Sequence, residues 1–322
     1  MTESNFPTQL YQLSLEAEGI ISLYLRAADG TPLPPADPGG HIDLFLPNGI
    51  SRSYSLSNMP QDSGIYRLTV ARDLNSRGGS QYLHDSVRIG DTIEVSAQHN
   101  NFELVEDAPQ SVFIAGGIGI TPFIPMMARL NECGRSWLLH YSTRTRQRAA
   151  LLDDISQLEQ AGKGEVRLNF DEEPGGKILD LAAILSSLAD GSHVYCCGPE
   201  PMLNAFRAGA DKAGLDDQQV HFEYFKGDVD KAEGGGFTVV CRQSNVTVQV
   251  KQGDTILESL ASAGVDLPSS CEQGICGACE TRVLEGEPDH RDLILSQKEQ
   301  DANNKMFICC SGSKSDSLVL DC

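Results

Sequence analysis

Over the first hundred positions, apolar and polar residues alternate in short runs at 42–46, 53–57, 65–71 and 92–96, separated by turn-forming residues. Period-two alternation puts every second side chain on one face, so these runs predict strands and together an antiparallel β-barrel. From Ser111 the pattern changes. Apolar runs at 112–115, 137–141, 166–170, 193–197 and 220–224 are separated by stretches of helical periodicity at 123–130, 151–159, 179–188 and 201–213. Repeated strand–helix units predict a parallel sheet with helices on its faces. Lys226-Gly-Asp-Val-Asp-Lys-Ala-Glu-Gly-Gly-Gly236 is polar, glycine-rich and aperiodic, the signature of a linker. Beyond it, 237–241 and 246–250 predict a hairpin and 255–263 a helix that leads into a cysteine-rich loop. The expected chain is multidomain: a barrel over 1–105, an α/β domain over 106–226, a linker over 227–236 and a third domain over 237–322.

Composition narrows the classes. A chain of 322 residues has room for two or three domains, each with its own core. No apolar run approaches the roughly eighteen residues of a membrane span, so no membrane insertion is expected. Met1-Thr2-Glu3-Ser4-Asn5 lacks the basic start and apolar stretch of a signal peptide. A cytoplasmic location is therefore expected, with the ten cysteines reduced and no structural disulfides. A formal charge of −20 argues against nucleic acid as a partner and leaves solubility, or docking to a basic protein.

Cys271-Glu-Gln-Gly-Ile-Cys276-Gly-Ala-Cys279 carries the C-x4-C-x2-C spacing of a plant-type [2Fe-2S] loop. Gly274, Gly277 and Ala278 are small, which lets backbone amides approach the cluster sulfurs. The alternative is structural zinc, but paired C-x2-C knuckles or histidines would then be expected, and this loop has one such pair. A fourth ligand must lie downstream. Cys309 and Cys310 are adjacent candidates in a stretch read as strand, whose pleat would send them to opposite faces.

Val112-Phe-Ile-Ala-Gly116-Gly117-Ile-Gly119-Ile-Thr121-Pro122 reads as an apolar strand, a glycine turn and a helix start, a phosphate-binding arrangement. It lacks the third glycine of the full Rossmann fingerprint. Cys197-Gly198-Pro199 ends a second strand of the same sheet, and both turns belong at the sheet's C-terminal edge, where open α/β sheets bind ligands. Asp171, Glu172 and Glu173 follow the strand at 166–170, where a carboxylate accepts from a ribose hydroxyl and repels a 2′-phosphate. That favours NADH, whereas Arg144 and Arg146 nearby would suit NADPH. Arg52-Ser53-Tyr54-Ser55 on a barrel strand and Arg77-Gly78-Gly79-Ser80 before a helix start suit a phosphorylated flavin. Two guanidiniums and a helix N-terminus bind phosphate, and a ring and a hydroxyl face the isoalloxazine.

Taken in order, Arg-x-Tyr-Ser, Arg-Gly-Gly-Ser, Gly-Gly-Ile-Gly-Ile-Thr-Pro, Cys-Gly-Pro and the C-terminal cysteine loop resemble the phthalate dioxygenase reductase family. The resemblance spans essentially the whole chain, including His221-Phe-Glu-Tyr-Phe225 and Gly286-Glu-Pro-Asp-His290-Arg-Asp292. It implies a ferredoxin reductase-like pair of domains followed by a β-grasp ferredoxin domain, binding FMN, NADH and a [2Fe-2S] cluster. Arg52, Tyr54, Ser55, Arg77, Gly79 and Ser80 would then contact FMN. Gly117, Thr121, Cys197 and Pro199 would face the nicotinamide nucleotide, and Phe225 would lie near the flavin ring. Residues 280–308 have the length that plant-type ferredoxins place before their last ligand, which favours Cys309 over Cys310. The implied activity is hydride transfer from NADH to the flavin, then single-electron passage through the cluster to a terminal Rieske-type oxygenase. His290 and Asp292 are candidates for orienting that partner. A stand-alone electron carrier or redox sensor, and a self-sufficient flavin monooxygenase, are the competing readings.

Overall fold

The longest strands of the barrel are ones the alternation rule passes over. The computed structural model describes residues 5–73, 78–225, 232, 235–269 and 271–322. Its chain opens with Phe6–Ala17 (β1) and Ile20–Ala27 (β2), followed by His41–Phe45 (β3), Ser51–Ser55 (β4), Tyr66–Ala71 (β5) and Thr92–Val95 (β6). Register shifts at Leu10/Gln12 and Leu15/Ala17 break the period of two in β1, and β2 is buried on both faces over part of its length. Among the described residues these six strands form a sheet in the order β4-β3-β6-β1-β2-β5, with antiparallel pairing throughout. A Leu56–Leu68 bridge and the Ser57 N–H donating to the Arg67 carbonyl (2.8 Å) join its two edges, closing the barrel. Leu10, Leu23, Leu25, Ile42, Leu44 and Leu68 fill the interior.

A short helix, Gly79–Asp85 (α1), precedes β6. The α/β part then runs Ser111–Gly116 (β7), Phe123–Glu132 (α2), Ser136–Thr143 (β8), Leu152–Ala161 (α3), Lys163–Phe170 (β9), Leu181–Ser186 (α4), His193–Cys197 (β10), Glu200–Ala213 (α5) and Val220–Glu223 (β11). The strands are parallel in the order β11-β10-β7-β8-β9, so the order reverses between β7 and β10. At such a reversal the connections leave in opposite directions and open a crevice at the carboxyl ends of the strands. Phe113, Phe123, Trp137, Tyr141 and Tyr195 dominate the core here, and Ile20 and Met59 of the barrel pack into it.

The chain divides into two compact units between Phe225 and Lys226. Apart from Ala232, Gly235 and Gly236, the stretch assigned as linker lies outside the described residues. The second unit contains Phe237–Cys241 (β12), Val246–Val250 (β13), Ile256–Ser262 (α6), Glu280–Glu285 (β14), Pro288–Asp289 (β15), Gln297–Ala302 (α7), Lys305–Phe307 (β16), Gly312–Ser313 (β17) and Ser317–Leu320 (β18). A mixed sheet, β13-β12-β18-β14-β16, packs against α6 through Ile256, Leu257 and Leu260. Thr255 starts that helix with a capping box to Glu258, which satisfies two amide groups the helix cannot.

The expectation of no disulfide is corrected here. Cys241 and Cys322 are bonded, with Cα atoms 4.9 Å apart. The parallel register sets Cys241 opposite Leu320, and the chain then turns back so that the Cys322 carbonyl accepts the Gln243 (2.6 Å) and Ser244 (3.0 Å) amides. This proximity comes from long-range strand pairing, which cysteine spacing does not reveal.

Candidate functional site

On β4, Arg52 and Tyr54 share one face and Ser53 and Ser55 the other. Arg52 donates from Nη1 to the Ser51 carbonyl (2.6 Å), and its stem crosses the start of α1. A Cβ at Gly79 would lie 2.7 Å from Arg52 Cγ, so only glycine lets guanidinium stem and helix start come this close. Gly78 enters the helix at φ 99, in the left-handed region that glycine tolerates. The Ser80 hydroxyl accepts the Asp73 amide (3.2 Å). A guanidinium beside a helix start is a cradle that fits a phosphate. Arg77, the second expected guanidinium, lies outside the described residues. Tyr54 packs against the barrel core, where burial pushes its phenol above the usual range. Ser53 donates to the Asp43 carboxylate and is thereby tied to β3.

The two expected nucleotide turns meet backbone to backbone. A Cβ at Gly119 would overlap the Cys197 carbonyl, one at Gly116 would sit 2.7 Å from Pro199 Cδ, and one at Gly198 would sit 2.9 Å from Met202 Sδ. Gly117 adopts φ 56 with open space around it. These glycines allow the β7 and β10 turns to close on each other at the point of strand reversal, leaving a helix start free to face a pyrophosphate. Thr121 is buried and donates to the Ile118 carbonyl (3.1 Å), closing the helical turn. At the end of β9, Asp171 Oδ1 is buried without a hydrogen-bond partner among the described residues. A buried acceptor aimed at no protein donor fits a hydroxyl donor from a ligand. Both arginines considered for NADPH are engaged locally. Arg144 pairs with Glu172 (3.5 Å), while Arg146 lies over the Phe170 ring (4.8 Å) and its amide donates to Glu173 (2.6 Å).

The sequence reading passed over Glu223. It ends β11 in register with Cys197, and its carboxylate hydrogen-bonds Ser55, so barrel strand and nucleotide sheet meet at this side chain. Its Oε2 is buried without a partner among the described residues. Burial raises its pKa from 4.5 to about 8, with the Ser55 hydrogen bond opposing. Cys197 is fully buried, and desolvation, then the neighbouring Glu223, hold its thiol well above the usual range, so it is a wall of this corner and no nucleophile. Phe225 follows two residues later and is 36% exposed. One consequence is testable by thermal melts. Between pH 4.5 and about 8 the folded chain keeps a proton on Glu223 that the unfolded chain has released, so this group's stabilising contribution is full below 4.5 and lost as pH rises through about 8. Glu223→Gln removes that titration, and its Tm advantage over the parent chain grows from pH 5 to pH 9. Parallel Tm curves would refute the assignment.

In the second unit, Glu272, Gly274 and Gly277 take φ of 53, 67 and 80, which curls the cysteine loop inward. Amide groups point at sulfur as expected: Gln273 donates to Cys271 Sγ (3.3 Å) and Cys271 to Cys276 Sγ (3.5 Å). No group of three or more His, Cys, Asp or Glu side chains among the described residues closes on a single metal-ion position. The thiols instead touch as one pair, Cys271 with Cys276, and one run of three, Cys279 with Cys309 and Cys309 with Cys310. The hydrogen bond with Cys276 holds the Cys271 thiol below the usual range, and hydrogen bonds first from Cys279 and then from Cys310 do the same for Cys309. Cys271, Cys276 and Cys279, with one of the adjacent Cys309 and Cys310, would supply the four thiolates that a two-iron cluster needs.

The strand reading of 309 and 310 is corrected, because both lie in a turn after β16, with the Cys310 (3.3 Å) and Ser311 (3.0 Å) amides on the Phe307 carbonyl. They therefore do not alternate between faces. Cys310 Sγ turns back toward Phe307 O (3.6 Å) and presses on Gly274, where a Cβ would lie 2.7 Å away. His290 and Asp292 are also relocated. Their side chains are buried, with Asp292 Oδ1 accepting the Leu295 (2.7 Å) and Ile294 (3.1 Å) amides and His290 bonded to Asn303 (3.2 Å), so they hold the loop's flank and are not surface groups.

Comparisons with known proteins agree with this division of labour. Residues 239–313 match the 2Fe-2S iron-sulfur cluster binding domain family, and residues 113–208 the oxidoreductase NAD-binding domain family. Phenoxybenzoate dioxygenase subunit beta of Ectopseudomonas oleovorans is 49% identical over 97% of this chain and 96% of its own length. An intact type IV self-sufficient cytochrome P450 monooxygenase superposes with a TM-score of 0.85 at 37% identity; 99% of this chain is covered, spanning 41% of that longer protein. The structure of phthalate dioxygenase reductase, described as modular for electron transfer from pyridine nucleotides to [2Fe-2S], matches over 100% of both chains with a TM-score of 0.72 and 34% identity. With full-length similarity on this scale, and both oxidoreductase domains in the same order, the chain belongs to the phthalate dioxygenase reductase family.

Proposed function

We propose that the protein is the reductase component of a Rieske-type oxygenase system, taking electrons from NADH through FMN and a [2Fe-2S] cluster to the terminal oxygenase. The observation that carries this reading is the gathering of Cys271, Cys276, Cys279, Cys309 and Cys310 into contacting thiols, in the same chain as two nucleotide turns packed glycine to backbone. An electron entry and a one-electron exit are thus built into one polypeptide. FMN, when bound, supplies the exchange between a two-electron nicotinamide and a one-electron cluster.

The chain's own residues bind and orient. Arg52, Gly79 and Ser80, with Arg77 by resemblance, hold the flavin phosphate, while Tyr54 and Ser55 border the ring. Gly116, Gly117, Gly119, Thr121, Gly198 and Pro199 shape the pyrophosphate and nicotinamide pocket, and Asp171 accepts from the adenosine ribose, which favours NADH. Cys197 walls the nicotinamide side. Ser55 and Glu223 tie the flavin strand to that wall, and Phe225 covers the outer face of the flavin site. We place the protein in the cytoplasm, where NADH is regenerated and thiolate ligands stay reduced.

An anaerobic NADH titration followed by visible absorption tests the reading. Flavin and iron-sulfur bands bleach together, and the reduced protein then passes electrons to a Rieske oxygenase. A protein that carries zinc and no colour, or a cluster that NADH leaves oxidised, would overturn it.

A further inference from the structure

Hydride transfer requires the nicotinamide held by the β7 and β10 turns to meet a flavin held by β4, yet these elements belong to different layers of the first unit. A displacement of about 1 Å between reacting groups costs on the order of 100-fold in rate, so something must fix the barrel against the sheet. We propose that Arg67 is that positioning residue, acting through Asp154. This rests on the assignment of the flavin and nicotinamide sites above.

The backbone of Arg67 is built into the end of the flavin strand. Its carbonyl accepts both the Ser57 amide (2.8 Å) and the Ser57 hydroxyl (3.2 Å), two residues beyond Ser55, and its own amide donates to Asn58 Oδ1 (2.9 Å). Its side chain leaves the barrel in the other direction. It is 6% exposed, lies over the Tyr24 ring (5.4 Å) and donates from Nη1 to Asp154 on α3 (2.7 Å). Glu16 (3.3 Å) and Asp62 (3.9 Å) of the barrel flank the same guanidinium.

Asp154 is in turn a fixed point of the nucleotide sheet. It sits in the first turn of α3, which the chain enters through Leu151 at φ 61, a left-handed conformation that a buried leucine adopts only where its surroundings impose it. The preceding Ala150 amide donates to the buried Tyr141 hydroxyl (3.0 Å) on β8, the neighbour of β7. Hydrogen bonds and one short stretch of backbone therefore lead from the flavin strand through Arg67 to Asp154, along the chain to Ala150, and through Tyr141 to the strand beside the glycine turn. A bidentate-capable guanidinium with little exposure holds direction as well as distance, unlike the half-exposed pairs elsewhere on the surface.

Asp154→Asn isolates the link, because Arg67 keeps Glu16 and Asp62 and remains paired. Arg67→Lys keeps the charge and loses the fork. Anaerobic stopped-flow reduction of the holoprotein by NADH is the measurement. In both variants the limiting rate of flavin bleaching at saturating NADH falls about 10-fold or more, while the half-saturating NADH concentration, the flavin and cluster spectra and reduction by dithionite stay those of the parent. Arg129→Met, which removes the exposed pair with Glu106 (2.8 Å), bleaches at the parent rate. A parent-like limiting rate in either folded Asp154→Asn or Arg67→Lys overturns the proposal, as does an equal loss in Arg129→Met. Failure of the parent protein itself to bleach with NADH would instead remove the assignment beneath it.

Discussion

Cys309→Ser is expected to abolish the iron-sulfur absorption of the purified protein, and Cys310→Ser to retain it. Cys309 lies between Cys279 and Cys310 and touches both, and it has the spacing of the last plant-type ligand, while Cys310 turns back on Phe307 and Gly274. Partners that merely orient metal ligands are worth about 10–100-fold in affinity, so loss of a direct thiolate costs more than that. Reduction of a one-electron protein acceptor such as cytochrome c therefore falls by more than about 100-fold in Cys309→Ser. Ferricyanide reduction, which can draw on the flavin directly, stays within a few-fold of the parent. Spectra of the two variants decide the matter: a normal cluster in Cys309→Ser together with its loss in Cys310→Ser would exchange their roles.

The second large effect is expected at Gly119. An added methyl there meets the Cys197 carbonyl and the Gly198 amide, which are backbone atoms and cannot swing aside. Either the β7 turn or the β10 turn must move, and overpacking of this kind costs about 1–3 kcal/mol in stability. The catalytic effect is larger, since both turns shape the nicotinamide pocket: Gly119→Ala reduces flavin with NADH about 100-fold more slowly. FMN content and the cluster spectrum are retained, because neither the Arg52 cradle nor the second unit is touched. NADH-dependent bleaching at the parent rate would show that the two turns do not cooperate in binding nucleotide.

Much of this was legible in the sequence because the chemistry is local. The cysteine loop, the glycine turn after β7 and the β4 motif each hold their functional groups within a few residues, and the strands and helices of the α/β part carry clean periodicity. What escaped was long-range or irregular. Bulges in β1 blur its alternation. The Cys241–Cys322 bond depends on the pairing of β12 with β18, and the Ser55–Glu223 contact on closure of barrel against sheet. A carboxylate standing inside the apolar run at 220–224 was the available signal for Glu223. The pleat expected at Cys309 and Cys310 is absent because the Phe307 carbonyl collects two amides and bends the chain.

The packing of the two nucleotide turns also bears on how such a site can change over generations. Gly116 abuts Pro199, Gly119 abuts the backbone at Cys197, and Gly198 abuts the backbone at Gly116. Each position is the mould for another more than seventy residues away, and where the counterpart is backbone, as at Gly119, no side-chain change across the gap makes room for drift. Persistence of glycine at these positions, and resistance to exchanging either stretch alone between relatives, are the marks to expect in a lineage.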